Sequence, residues 1–427
     1  MARPNITVLV EDQSFVVPFS ESGSITRAGM VSLGGLPMAL GTTAEYKTGV
    51  MTISSVNDWI ARLNSTETLG NTAWSASEID DGADITTEMP FFHMVGDEGT
   101  GGTMFAGGTF ARWPNGPTGA WKNEWWAAHN YLQYGGVLIV GGTGSVENTT
   151  ISESSTPFHD KQIPIDLVFA STGGDNGDVG HASNIATFRQ DCIAICPTTL
   201  ADTAAKHNDQ TADEFNVAVH GYKKHLGINR GIREDALDDL IQTPLAADVA
   251  GCMARTDAVA DPWWSPAGFK RGQILGVVRL VDNPTDAEMD TMYDSKINPV
   301  VTFPGEGTVL FGDKTLAAPS STLSRINVSR LFIYLKKTIG AAARDKLFEL
   351  NDEDTRSSFV NAVVPFLRTI QARRGIYAYR VVCDETNNTG SIIDSNNFVA
   401  DIFIKPTKSI NFIRIRFVNK NTSDALE

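Results

Sequence analysis

Seven histidines, four cysteines and a scatter of carboxylates are the groups of this 427-residue chain that could do chemistry, and their spacing decides whether they can act together. His220 and His225 stand five apart. On the helix that the surrounding text suggests they would point about 140° away from each other, unlike the i, i+4 pair that chelates zinc. Cys192 and Cys196 lie four apart in strand-like text, about 13 Å at the strand rise, too far to share a metal or form a disulfide. Gly173-Gly174-Asp175-Asn176-Gly177-Asp178-Val179-Gly180-His181 offers carboxylates on a pliant backbone. It lacks the Asp/Asn alternation and closing Glu of a calcium loop and reads as a solvated turn. Val137 to Gly144 runs from an apolar strand into glycines, as nucleotide-binding folds do, but Ser145 to Ser155 is a polar tract with no helix to receive a phosphate. No Gly-x-Ser-x-Gly elbow, P-loop or His-Glu-x-x-His occurs. Trp125-Trp126 and Trp263-Trp264 could stack on sugars or bases, or pack in a core or interface. The expectation is no catalytic residue, no cofactor and no metal; a triad gathered from scattered residues keeps a carbohydrate-active or hydrolytic α/β enzyme open as the alternative.

The elements that would position any site change character along the chain. Ile6, Val8 and Val10 alternate with Asn5, Thr7 and Leu9, a terminal strand without a hairpin partner. Val56, Trp59, Ile60 and Leu63 form a short helical patch. Residues 70–120 are rich in Gly, Thr, Ser, Asp and Pro and suggest loops or a small β insertion. Then comes alternation: helix at Ala120–Tyr134, Ala182–Gln190, Ala212–His225 and Thr285–Ile297, strand at Val137–Val140, Ile165–Ala170, Ile193–Cys196 and Ile274–Leu280. That order indicates an α/β sheet with helices on its faces. In the last third Val328, Leu331, Phe332, Leu335, Ile339, Ala342, Leu347 and Leu350 trace one face of a long amphipathic helix. A second helix, capped at Asn351 or Asp352, buries Phe359, Val363, Phe366, Leu367 and Ile370, with a kink expected at Pro365. Strands follow at Ile376–Cys383, Phe398–Ile404 and Ile413–Val418. The fold class is thus α/β plus α+β.

Charge divides the chain in the same place. The net charge is −15, yet residues 301–427 carry 17 Lys and Arg against 13 Asp and Glu, leaving the first 300 at −19. So acidic a surface excludes nucleic acid as the main partner, and no run approaches the ~20 apolar residues that span a bilayer. Four sparse cysteines suit a reducing compartment, and no secretion signal is read at the start.

A string of linked motifs in the C-terminal third carries a resemblance. Ile297-Asn298-Pro299, Phe303-Pro304-Gly305-Glu306-Gly307, Phe311-Gly312-Asp313-Lys314-Thr315-Leu316 and Arg325 to Leu335 come first, followed by Phe348 to Glu353, Val382 to Thr389 and Asp401 to Pro406. In order and spacing this string resembles the contractile tail sheath proteins of myovirus-type bacteriophages, relatives of the sheaths of R-type bacteriocins and type VI secretion systems. Asn130 to Gly136, Ala254 to Asp257 and Trp264 to Gly268 look like looser, collinear matches. Phe311-Gly312-Asp313 departs from the Trp-Gly-basic pattern frequent in that family.

The resemblance implies a variable outer α/β domain (26–295, with 70–120 as the insertion) placed between an N-terminal arm (1–25) and a C-terminal α+β inner domain (296–408), ending in a C-terminal arm (409–427). It implies a structural subunit that stacks as hexameric rings around a tail tube and contracts to drive the tube through a cell envelope. Partners would be other copies, the tube protein, and baseplate and tail terminator proteins, with no nucleic acid and no direct membrane insertion. The place would be a virion tail assembled in the host bacterial cytoplasm. A static virion or baseplate component is a further alternative. Two sets of contacts are expected. Ile6, Val8 and Val10, and Ile413, Arg414, Ile415, Arg416 and Phe417, would join sheets of neighbouring subunits. Arg368, Arg373 and Arg374, clustered at the end of the second helix, would meet the tube.

Overall fold

A computed structural model describes residues 26–32, 50–64, 92–94, 110–112, 122–142, 157–171, 178–198, 205–206, 208–226 and 240–411. Its centre is an eight-stranded sheet in the order β13-β12-β8-β7-β6-β1-β5-β2. The strands are β1 (Arg27–Ser32), β2 (Val50–Ile53), β5 (Val137–Gly142), β6 (Leu167–Phe169), β7 (Ile193–Pro197), β8 (Asn216–His220), β12 (Ile297–Phe303) and β13 (Gly307–Leu310). The six inner strands run parallel and the two outer ones, β2 and β13, antiparallel. Helices α1 (Val56–Asn64), α2 (Lys122–Leu132), α3 (Asp178–Arg189) and α4 (Ala246–Val259) belong to this unit. Every residue of β7 and β8 is buried, the expected state of central parallel strands.

Burial explains one misreading. Residues 212–225, expected as a helix, are two strands, β8 and β9 (Tyr222–His225), split by Gly221. A strand buried on both faces shows no alternation, and a short apolar run cannot be told from a helix by period. Gly221 has φ +135° and a Cβ there would lie 2.9 Å from Leu245 Cδ1, so the break needs glycine. Strand β9 pairs instead with β10 (Ile241–Pro244) and β11 (Arg279–Leu280) in a separate three-stranded sheet, and only the last two residues of the expected Ile274–Leu280 strand take part. Helix α5 (Asp286–Asp294) starts at Thr285, whose amide bonds Glu288 Oε2 at 2.8 Å. The helix stops short of Ile297, which opens β12. Within 70–120, β3 (Phe92–Met94) and β4 (Phe110–Arg112) form an antiparallel pair.

A second hydrophobic core is built by α6 (Ile326–Arg344), α7 (Glu353–Ala372) and the ribbon β14 (Ile376–Val382) and β15 (Asp401–Pro406), with short α8 (Gly390–Asp394) between the strands. Asp352 caps α7, accepting Thr355 N at 2.8 Å, and the helix runs on through Pro365. Helix α6 is shorter than its apolar text: Leu347 and Leu350 fall beyond Arg344, and Phe348 and Leu350 are 86% and 77% exposed. The expected break before residue 296 also moves. β12 lies parallel to β8 with Ile297 opposite Ala218, so residues 297–310 complete the large sheet, and the second core draws on Trp263 and on α6 onward.

The two cores share α6. Ile326 and Ile333 lie in the sheet core, while Leu331, Leu335 and Ile339 lie in the other; at 100° per residue these stripes fall on opposite sides of the helix. Polar ties reinforce the seam. Arg330 pairs with Asp257 at 2.5 Å, and Lys337 bonds Asp166 Oδ1 at 2.7 Å and the Ile165 carbonyl at 2.6 Å.

Trp59, Trp125 and Trp126 settle the fate of one tryptophan pair: all three are fully buried and Trp59 stacks on Trp125 at 5.8 Å. Beside them, Lys223 Nζ meets Asp248 Oδ1 at 2.8 Å and Tyr134 donates to the same oxygen at 3.1 Å, all inside the core. Helix α4 reaches this pin only because residue 251 is glycine, since a Cβ there would sit 2.2 Å from Tyr134 Cδ2. Ala exceeds Gly in helix propensity by at most ~1 kcal/mol, whereas overpacking costs about 1–3 kcal/mol. Gly251→Ala is therefore expected to lower stability by about 1–2 kcal/mol in urea unfolding, against the propensity trend.

Candidate assembly interface

The sites that sequence spacing raised as chemistry do not assemble one. His220 and His225 sit on β8 and β9, not on a helix. His220 Nδ1 contacts Thr198 Oγ1 at 2.8 Å and its Nε2 lies 3.8 Å from Asp282, an order that imitates a nucleophilic triad. Thr198, however, is fully buried, so its hydroxyl cannot meet a substrate. Lys336, whose ammonium burial pulls down to about 8, borders a cavity of about 10 Å³, room for one water. Cys192, Cys196, Cys252 and Cys383 are free and buried. Burial pushes the Cys192 and Cys252 thiols up to about 12, far from a reactive thiolate. Among the described residues no group of three or more His, Cys, Asp and Glu could hold a metal, and no helix is long and apolar enough to cross a membrane.

What the second core does present is an unfinished sheet. β14 and β15 pair over Ile376–Val382 and Asp401–Pro406, and no other described strand joins either edge. One side of the ribbon packs on α7 through Ile376 and Ile402; Tyr377 and Phe403 remain exposed. Two strands alone are marginal in water, and their outer edges carry unpaired amides and carbonyls ready for an added strand.

Next to the ribbon lies a clasp between the two units. Asp261, just past α4, pairs with Arg373 Nη2 at 2.5 Å. Trp263 donates Nε1 to the Arg373 carbonyl at 3.1 Å, and the Arg373 and Arg374 guanidinium groups lie 5.6 and 5.5 Å from the Trp263 and Trp264 rings. Gly375 permits this approach: a Cβ there would meet Ile370 Cγ2 at 2.6 Å and Trp263 at 3.1 Å. Of the three arginines expected to act together, Arg373 and Arg374 are thus turned onto the tryptophans, and Arg368 is exposed one turn earlier. The paired tryptophans 263 and 264 are interface residues, within the chain.

A third feature lies where the ribbon gives way to the C-terminal segment. Asp313, 3% exposed, accepts Arg325 Nη1 at 2.9 Å and Asn411 Nδ2 at 2.8 Å on Oδ1. Its Oδ2 takes Ser265 Oγ at 3.4 Å and the Ser409 hydroxyl. The Tyr293 hydroxyl bridges the same donors, accepting from Arg325 at 2.6 Å and Asn411 at 2.8 Å, and Lys314 Nζ sits 3.4 Å from the centre of that ring. Spacing gave no hint of this node. The only local signal was the departure of Asp313 from a pattern that is often basic. Ile6, Val8 and Val10, and Ile413 to Phe417, lie outside the described residues.

Residues 180–316 match the family model of the phage tail sheath protein central domain, and residues 318–420 that of the phage tail sheath C-terminal domain. The chain is 36% identical over 354 residues to the tail sheath protein of Enterobacteria phage T4, covering 74% of this chain and 50% of that protein. It is 57% identical over 179 residues to the tail sheath protein of Vibrio phage KVP40, covering 42% of this chain and 27% of that one. The chain thus spans at most about half the length of these curated relatives. Its fold is similar to that of an extracellular contractile injection system, the PVC sheath complex in contracted state, with a TM-score of 0.63 at 16% identity over 98% of both chains. It is also similar to the anti-feeding prophage helical sheath in contracted state, with a TM-score of 0.63 at 14% identity, covering 98% of this chain and 100% of that one.

The clasp titrates in a predictable direction. Burial pushes the Asp261 carboxyl up to about 6 from an ordinary 3.8, opposed by Arg373 and aided by Asp257. The folded chain then holds this proton more tightly than the unfolded one, so its contribution is present at low pH and is lost as pH rises from about 4 through about 6. Asp261→Asn cannot lose a proton there. Its stability relative to the wild type is expected to rise over that interval in denaturant titrations and to level off above it.

Proposed function

The chain belongs to the phage tail sheath family, and from that membership we propose that it is a structural subunit of a contractile tail sheath in a virion tail, assembled in the host cytoplasm. It stacks as hexameric rings around a tail tube, with baseplate and terminator proteins at the ends, and contracts to drive the tube through a cell envelope. It works without nucleotide or other cofactor and catalyses nothing. The observation that carries this reading is the two-stranded ribbon β14–β15, whose edges no other described strand joins, followed in the sequence by a basic, alternating C-terminal segment. Ten residues, 409–418, reach about 33 Å at the strand rise, enough to cross to a neighbour.

In this reading Ile413, Arg414, Ile415, Arg416 and Phe417 add a strand to one edge of an adjacent subunit's ribbon, and Ile6, Val8 and Val10 supply a strand from another copy. Main-chain hydrogen bonds then link copies in a mesh, while the acidic outer unit faces solvent and aids solubility. The tube lies against the end of α7, where Arg368, Arg373 and Arg374 form exposed, salt-sensitive pairs of about 0.2–1 kcal/mol each, weak enough to break on contraction. Arg368 bears most of this contact, since Arg373 also serves the clasp to Asp261.

Deleting residues 409–427 is expected to leave a folded monomer, with wild-type circular dichroism, that makes no hollow striated cylinders in electron micrographs; cylinders of normal length from the truncated chain would sink the crossing strand. For the tube, Arg368→Glu is expected to keep the subunit folded and to abolish polymerisation on tubes at low salt. Unchanged assembly would reject this end of α7 as the contact.

A further inference from the structure

The Asp313 node gathers four stretches of chain at one buried carboxylate: Ser265, Tyr293, the 313–325 connector and Ser409/Asn411. Its members do not hold equally. Arg325 stands at the start of α6, and Ile326 N bonds the Asp313 carbonyl at 2.8 Å, so this side is built into the fold. The C-terminal side is attached otherwise. The ribbon ends at Thr407, whose amide bonds the Gly375 carbonyl at 3.1 Å and whose carbonyl accepts Asn327 Nδ2 at 3.2 Å. Beyond it, residues 408–411 make no backbone-to-backbone hydrogen bond to a described residue. They are tied down by the Ser409 hydroxyl and the Asn411 amide, and Ile410 between them is 82% exposed.

This asymmetry has an energetic consequence. Withdrawing one partner from a buried charge is costly when it strands the charge. Withdrawing Ser409 and Asn411 strands nothing: Asp313 keeps Arg325 and Ser265, Tyr293 keeps Arg325, and the two freed side chains are short, polar and readily solvated. The attachment is specific in geometry and cheap to undo.

We propose that the Asp313 node is a releasable latch at the root of the C-terminal arm, setting how much of that arm is free to span the gap to a second copy of this chain. On the crossing-strand reading, the strand is tethered at residue 411 when latched, and the seven residues to 418 would reach about 23 Å; released, the eleven residues from 408 would reach about 36 Å. A sheath that changes length must change the spacing between joined subunits, and the latch supplies about 13 Å without breaking the strand's pairing in the neighbour. The proposal rests on the crossing-strand reading above, but the latch itself is measurable in the unassembled chain.

Lys408 is a trypsin site inside the latched stretch, and Arg414 and Arg416 are sites beyond it. In full-length monomer under limiting trypsin, S409A/N411A is expected to raise the rate of cleavage after Lys408, relative to cleavage after Arg414, by tenfold or more. An unchanged ratio overturns the latch. Conversely, S265C/S409C places two thiols where two hydroxyls share the Oδ2 acceptor of Asp313. Oxidation is expected to close a disulfide and suppress cleavage after Lys408, and failure to close it also overturns the latch. In sheaths assembled from the oxidised variant, length change is expected to stop and to return with reductant. A sheath that changes length with the lock closed rejects the role in reach, whereas assembly by the 409–427 deletion rejects the crossing itself.

Discussion

One helix that must satisfy two cores is the constraint on which the rest of this structure depends. Helix α6 buries Ile326 and Ile333 on the sheet side and Leu331, Leu335 and Ile339 on the other. Its backbone hydrogen bonds make it stiff, so the orientation of each core is referred to the other through a single rod. Arg330, Asn327 and Lys337, which on an ordinary surface helix would be solvated, are drawn into this seam. Paired charges at the boundary restrict sliding, because displacing either partner leaves a partly buried charge without compensation.

The same constraint accounts for the lack of a chemical site among the polar groups that sequence alone made suspect. A mostly parallel sheet needs cover on its faces, and the groups that come with that cover are consumed inside it. Lys223 and Tyr134 both donate to Asp248 Oδ1 between α4, β9 and the turn after α2. Arg189 binds the carbonyls of Phe158, Asp160 and Ile163 along with Asp191. These contacts act as struts within the fold.

Against this stiff body the assembly features are shallow and exposed. The ribbon packs one face on α7, and no other described strand joins its edges. The Asp261 clasp is titratable near pH 6, and the arm root is held through two side chains. Interactions in the cores are many, while the clasp and the arm root each depend on a few polar contacts at a buried carboxylate.

Local pattern made part of this legible. The Asp352 cap with its acidic first turn, the α7 face of Phe359, Val363, Phe366, Leu367 and Ile370, and the apolar strands at 137 and 193 are all written within a few residues of themselves. Capping, helical period and burial need no distant partner to be read. The linked motifs of the last third likewise identified the family, because their order and spacing are properties of the chain alone. Within 212–225 the strand 216–220 has no strand period to read, since its complete burial erases the alternation that separates strand from helix. The pairing of strand 297–303 with residues 218–220 is not legible locally, because it is a decision taken across 80 positions. Asp313, likewise, is an unremarkable carboxylate in sequence. It becomes a node only when Ser265, Arg325, Ser409 and Asn411 are brought within hydrogen-bond distance of it. Covalent neighbours set many of the elements; which elements share a core, and which side chains meet there, was settled by the tertiary fold, where burial favours the pairing of polar groups however far apart they lie in the chain.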